Sequence, residues 1–174
     1  MNRGTLILDM DGTIADTYNY PDWTGILRGH VSDPWKHCGK VNPKEVYKMF
    51  CNVKPLVEPD VLQEFCSQWP ETIVYSMTPW DATPEVEQAT IRAKLLWLYK
   101  HFPFLLENHK LVITRQKQEK NFIQQEYVLY RSLSLNPDWK ATPDDTLVDD
   151  NKLFLESFIG KKMLPPWLKN KIKI

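Results

Sequence analysis

Asp9 and Asp11 stand at the end of a short apolar run with one residue between them, and Gly12 and Thr13 follow. Like charges at that spacing repel, so either a cation lies between them or one carboxylate keeps its proton. Magnesium suits such a place, because it takes hard oxygen ligands and binds through one or two carboxylates together with phosphate. Gly12 lets the backbone turn tightly toward a ligand, and Thr13 can hydrogen-bond within that turn. A carboxylate can attack phosphorus to give an acyl phosphate. A second carboxylate can protonate the leaving oxygen and later activate water. Asp9 is thus a candidate nucleophile, with Asp11 as its acid/base partner. A calcium loop is a competing reading, but Thr13-Ile-Ala-Asp16 lacks the further ligands it needs. A solvated turn is another, and the apolar run before Asp9 fits it poorly.

The elements that must position these residues read as a parallel α/β fold. Thr5-Leu-Ile-Leu8, Glu71-Thr-Ile-Val-Tyr75, Lys110-Leu-Val-Ile-Thr114 and Thr146-Leu-Val148 are short apolar runs bounded by turn residues, as buried strands are. Each delivers polar or charged residues at its C-terminal end. Helical spacing occupies 59–69 and 84–102, with Pro84 at a first-turn position, and more weakly 121–133. Strands alternating with helices imply a parallel sheet covered on both faces, a three-layer Rossmann-like arrangement. In such sheets ligands bind beyond the carboxyl ends of the strands, which gathers the polar clusters at one rim.

Residues 17–54 interrupt the alternation. They are rich in aromatic residues, Pro and Gly, with helix expected only near 43–50. A small cap inserted after the first strand is the expected role, with Tyr18, Tyr20, Trp23 and Trp35 as candidate specificity residues; a self-packed edge is the alternative. The lysine-rich stretch 161–174 reads as a solvated basic tail.

The whole of 1–174 is expected to be one domain. Its 22 basic and 22 acidic residues balance, which argues against an extended nucleic-acid track. No apolar stretch has the length of a membrane span. Cys38, Cys51 and Cys66 are read as free thiols in a reducing cytoplasm. A zinc site from His37, Cys38 and Cys51 is the weaker alternative.

The run Leu6-Ile-Leu-Asp-Met-Asp-Gly-Thr-Ile-Ala-Asp16 resembles the first motif of the haloacid dehalogenase (HAD) superfamily. The resemblance implies that Asp9 is the nucleophile and that Asp11 marks a phosphatase. It further implies that Ser76 and the Met77 N–H hold the phosphoryl oxygens, and that Lys117 neutralises nucleophile and phosphate. Asp149 and Asp150 would complete the Mg2+ shell begun by Asp9 and Asp11. Lys120 follows the same strand as Lys117 and rivals it. Arg115 binds phosphate or caps a strand, and Thr78 assists Ser76 or serves a turn. Ser-Met-Thr-Pro79, Ile113-Thr-Arg-Gln-Lys117 and Thr146-Leu-Val-Asp-Asp150 resemble 5'(3')-deoxyribonucleotidases, although that family usually has Asp at Gln116 and a larger cap.

The implied function is Mg2+-dependent hydrolysis of a small phosphomonoester, best a nucleoside monophosphate, through an aspartyl phosphate. A phosphatase acting on nucleic-acid ends and a non-catalytic binding protein of the same fold are the alternatives.

Overall fold

In a computed structural model, which describes residues 3–27, 41–80, 82–107, 110–115 and 119–168, the four apolar runs form neighbouring strands. They are β1 (Thr5–Leu8), β2 (Glu71–Met77), β3 (Lys110–Thr114) and, after an intervening strand, β5 (Thr146–Val148). The intervening strand β4 (Val128–Arg131) and a last one, β6 (Lys161–Met163), close the two edges in the order β4-β3-β2-β1-β5-β6. β4 runs antiparallel to β3, and every other neighbouring pair is parallel. The fold is α/β, with a mostly parallel sheet compatible with the Rossmann-like arrangement.

Alternation along the strands sends side chains to opposite faces. Leu6, Leu8, Val74, Ile113 and Val148 enter one core. Ile7, Ile73, Tyr75, Val112 and Leu147 enter the other. Burial on both sides explains why the strands read as unbroken apolar runs. The first face is covered by α2 (Pro43–Asn52), α3 (Pro59–Cys66), α4 (Pro84–His101) and the short α5 (Phe104–Glu107). The second is covered by α6 (Lys152–Ser157) and by Ile123 and Leu135 of the long connection before β5.

Local chemistry starts these helices where they start. Asn42 accepts from the Lys44 N–H and Thr83 from the Val86 N–H, ahead of Pro43 and Pro84 in the first turns. Trp97 of α4 is almost completely buried, and its indole N–H donates to the Val53 carbonyl at 2.8 Å, tying α4 to the end of α2.

Three stretches differ from expectation. Residues 121–133 hold a 3-10 turn, Gln125–Tyr127, and then β4. The β-favouring residues Val128 and Tyr130, together with a free edge on β3, outweigh the weak helical spacing. In the basic tail, 161–163 is an edge strand with Lys161 and Lys162 exposed, a placement that discourages edge-to-edge pairing; 169–174 lie outside the described residues. The segment 17–54 divides. It opens with a 3-10 turn, Thr17–Asn19, and a short α1 (Trp23–Ile26). Its α2 then buries Val46, Met49 and Phe50 in the same core as β1, as a layer on the sheet. Residues 28–40, with His30, Trp35, His37 and Cys38, lie outside the described residues. Cys51 and Cys66 are free thiols. Among the described residues no helix is long and apolar enough to cross a membrane.

The chain leaves β1 toward β2 on one side, while β5 lies on the other. The crevice expected at such a reversal therefore opens between the ends of β1 and β5.

Trp97 generates a test of this packing. Trp97→Ala should lower unfolding stability by about 3–5 kcal/mol in urea titrations. Trp97→Phe keeps a ring but strands the buried Val53 carbonyl, and should cost about 1–3 kcal/mol. Equal, small losses in both would contradict the α2–α4 tie.

Candidate active site

β1 and β5 end side by side, and the Asp9 N–H donates to the Val148 carbonyl at 3.0 Å, prolonging the pairing by one step. The side chains of Asp9 and Asp149 are thereby brought together at the crevice. The Lys120 ammonium lies between them, donating to Asp9 Oδ1 and Asp149 Oδ2 at 2.7 Å each. All three residues are buried. Lys120 also sits 4.8 Å from the ring centroid of Phe154 and 5.8 Å from that of Tyr75. Burial works against its charge, but the Asp149 and Asp9 carboxylates outweigh burial and raise its pKa above the usual lysine value. It is a fixed cation.

The turn after β1 fixes the nucleophile candidate from the other side. The Thr13 hydroxyl donates to Asp9 Oδ2 at 2.9 Å and accepts from the Asp150 N–H at 3.2 Å. Gly12 has φ +78°, and a Cβ there would lie 2.2 Å from Asp150 Oδ2 and 2.8 Å from Tyr18 Cε2. Only glycine permits both the turn and this close approach. The indole N–H of Trp167 donates to the Thr13 carbonyl at 2.7 Å, so the tail anchors the same turn. On the β5 side, Asp149 Oδ1 accepts from the Asn151 N–H at 2.9 Å, and Asn151 in turn caps α6.

Asp9, Asp149 and Asp150 present carboxylate oxygens within 4.8 Å of one another. One ammonium does not neutralise three carboxylates. The pKa of Asp9 is raised, first by burial and then by Asp149, with Lys120 opposing. That of Asp150 is pushed up to about 9 by burial and by the charges of Asp9 and Asp149. A hard divalent cation fits this excess of oxygen ligands and negative charge.

Asp11 is held apart from that group. Its Oδ1 accepts from the Thr17 hydroxyl at 2.7 Å and its Oδ2 from the Lys94 ammonium at 2.6 Å. Lys94 also donates to Ser76 Oγ at 2.7 Å and to the Met77 carbonyl at 2.8 Å. Ser76 is fully buried against this lysine, and Met77 reaches the cavity.

The cavity, of about 490 Å³, has the carboxylates and Lys120 on its polar side and Tyr18, Met77, Leu153 and Phe154 on its apolar side. Burial and the charges of Asp11, Asp9, Asp150 and Asp149 raise the Tyr18 pKa, so the phenol stays protonated. Tyr18 packs edge-on against Trp23 at 5.0 Å. Trp23 and Tyr20 pack toward the core and do not line the cavity, and Trp35 lies outside the described residues.

Lys117 also falls outside the described residues; the ammonium placed against Asp9 is that of Lys120. Arg115 forms a two-point ion pair with Glu87 of α4, at 2.8 and 3.2 Å, which anchors the end of β3. Thr78 is buried just past β2, where its N–H donates to the Thr114 carbonyl at 2.9 Å. Lys94, Thr17, Phe154 and Trp167 were not read as site residues. For Lys94 a signal existed: Glu87, Thr90 and Lys94 follow helical spacing on the stripe that buries Val86, Ile91 and Leu98.

The chain matches no family model and no curated protein sequence.

The raised Asp150 pKa has a signed consequence for protein stripped of divalent cations by EDTA. In the unfolded chain this carboxyl titrates near its ordinary 3.8. The protonated group's contribution to stability is complete below that value and is lost as pH rises toward about 9. Asp150→Asn imitates the protonated form. Its melting temperature should exceed that of the wild type at pH 8, with the gap closing toward pH 4; about 1 kcal/mol would appear as about 2–4 °C. A gap independent of pH would contradict the assignment.

Proposed function

We propose that this chain is a magnesium-dependent phosphomonoesterase of the HAD superfamily in which Asp9 carries the phosphoryl group. The observation supporting this most is the junction of Asp9 and Asp149 at the ends of adjacent strands, joined by one buried ammonium and flanked by Asp150. A nucleophilic carboxylate must attack a group that is itself negative, and fixed positive charge beside it lowers that barrier.

In the first step an Asp9 oxygen attacks phosphorus and the bond from phosphorus to the leaving oxygen breaks. The carboxyl proton of Asp11 goes to that oxygen. In the second step water attacks the phosphorus of the acyl phosphate and gives a proton to the Asp11 carboxylate. The bond from phosphorus to Asp9 breaks, inorganic phosphate leaves and both aspartates return to their starting states. Lys120 holds Asp9 in place and offsets its charge. The Met77 N–H and the Ser76 hydroxyl are the proposed donors to the phosphoryl oxygens. Asp9, Asp149 and Asp150 would hold Mg2+, which when bound supplies positive charge to the phosphoryl oxygens.

A nucleoside monophosphate is the proposed substrate. Tyr18, Leu153 and Phe154 line an apolar wall beside the carboxylates, and an aromatic ring there can stack on a base. Selectivity among the earlier aromatic candidates rests on Tyr18.

Asp9→Asn should lose phosphatase turnover while keeping its circular dichroism spectrum, since an amide is a poor nucleophile. Wild-type activity should vanish in EDTA and return with added Mg2+. Near-normal hydrolysis by Asp9→Asn, or full activity in EDTA, would sink the reading.

A further inference from the structure

Lys94 lies in the middle of α4 with none of its surface exposed. Lysine is almost never fully buried unless its charge is paired, and removing an ammonium from water is costly without compensation. The compensation here uses the whole donor set. An ammonium has three protons and no acceptor, and Lys94 has three partners: Asp11 Oδ2 at 2.6 Å, Ser76 Oγ at 2.7 Å and the Met77 carbonyl at 2.8 Å. The ring of Phe50, 4.9 Å from the nitrogen, closes the remaining side.

This geometry fixes two other groups. Ser76 Oγ must be the acceptor in its bond with Lys94, so the hydroxyl proton points away from the lysine and is free for another acceptor. Asp11 is held at both oxygens, by Lys94 and by the Thr17 hydroxyl at 2.7 Å, so the group cannot swing. Each bond uses one lone pair, and the second lone pair on each oxygen is where Asp11 can carry the proton it delivers. Lys94 makes no bond to Asp9; the ammonium against Asp9 is that of Lys120. The second lysine is attached to the acid/base candidate and to the candidate phosphoryl-binding hydroxyl, on β2.

We propose that Lys94 is a positioning residue that locks Asp11 and Ser76 into one unit, aiming the Asp11 carboxyl at the leaving oxygen and the Ser76 proton at a phosphoryl oxygen. The proposal rests on the phosphatase reading above. A purely structural lysine would matter only through stability and would slow all substrates alike. A positioning lysine makes a sharper demand, since its loss should hurt most where leaving-group protonation matters most.

The test compares wild type, Lys94→Met, Asp11→Asn and the double variant on p-nitrophenyl phosphate and glycerol 2-phosphate, with Mg2+ present. The nitrophenolate departs without a proton, whereas the alkoxide needs one. Displacing a reacting group by about 1 Å can cost about 10²-fold in rate. Lys94→Met should therefore lower kcat on glycerol 2-phosphate by about 10²-fold and lower it much less on p-nitrophenyl phosphate. In the double variant, Lys94→Met should add little to the loss already caused by Asp11→Asn on glycerol 2-phosphate. Lys94→Gln keeps two N–H donors and gives the same comparison if Lys94→Met does not fold. Equal losses on the two substrates, or fully additive losses in the double variant, overturn the proposal and leave the phosphatase reading standing. A wild type that hydrolyses neither substrate removes both.

Discussion

The Lys120 ammonium lies 2.7 Å from a carboxylate on each side, in a place that water scarcely reaches. The junction of β1 and β5 depends on it. Those strands are adjacent and parallel, and each ends in a buried aspartate. Two carboxylates in a medium of low polarity repel far more strongly than in water. Desolvating them without a counter-charge would also be expensive. The lysine allows the sheet to end in paired aspartates, and the rings of Phe154 and Tyr75 keep the lysine in place. Gly12, Thr13, Asn151 and Trp167 all hold the backbone around this one cluster.

A second ammonium divides the site. Asp9 and Asp11 are two residues apart in sequence, yet Asp9 faces Lys120 and Thr13, whereas Asp11 faces Lys94 and Thr17. The two cations arrive from different elements, one from the loop after β3 and the other from the middle of α4. Two carboxylates in separate surroundings are what a division between nucleophile and acid/base partner needs. The cavity continues this asymmetry, with charge at the strand ends and Tyr18, Leu153 and Phe154 opposite.

The four inner strands were legible in the sequence because burial on both faces leaves unbroken apolar runs, and the polar residues at their ends showed which rim to examine. β4 and β6 were not legible. Each is short and sits on an edge, where pairing with an existing neighbour decides the outcome more than the pattern of side chains does. α2 read as part of an insertion because of the aromatic residues around it, although Val46, Met49 and Phe50 make it a layer of the core. Asp9, Asp11, Asp149 and Asp150 were visible because strand-end carboxylates have no place in a core. Lys94 was missed because helical periodicity assigns charged residues to the outside. Its role depends on Asp11 and Ser76, which are distant in sequence. Lys120 was visible only as a rival to Lys117, since spacing from a strand end cannot decide which residue of a loop turns inward.

Turnover by the proposed site requires that Asp9 become covalently phosphorylated. Mixing the protein with Mg2+ and a phosphomonoester it hydrolyses, quenching in acid within milliseconds and mapping peptides by mass spectrometry tests it directly. A hydroxylamine-sensitive phosphate should be found on the peptide containing Asp9, formed and discharged fast enough to sustain turnover. Continued hydrolysis with no such adduct, or with phosphate carried by another residue, would contradict it.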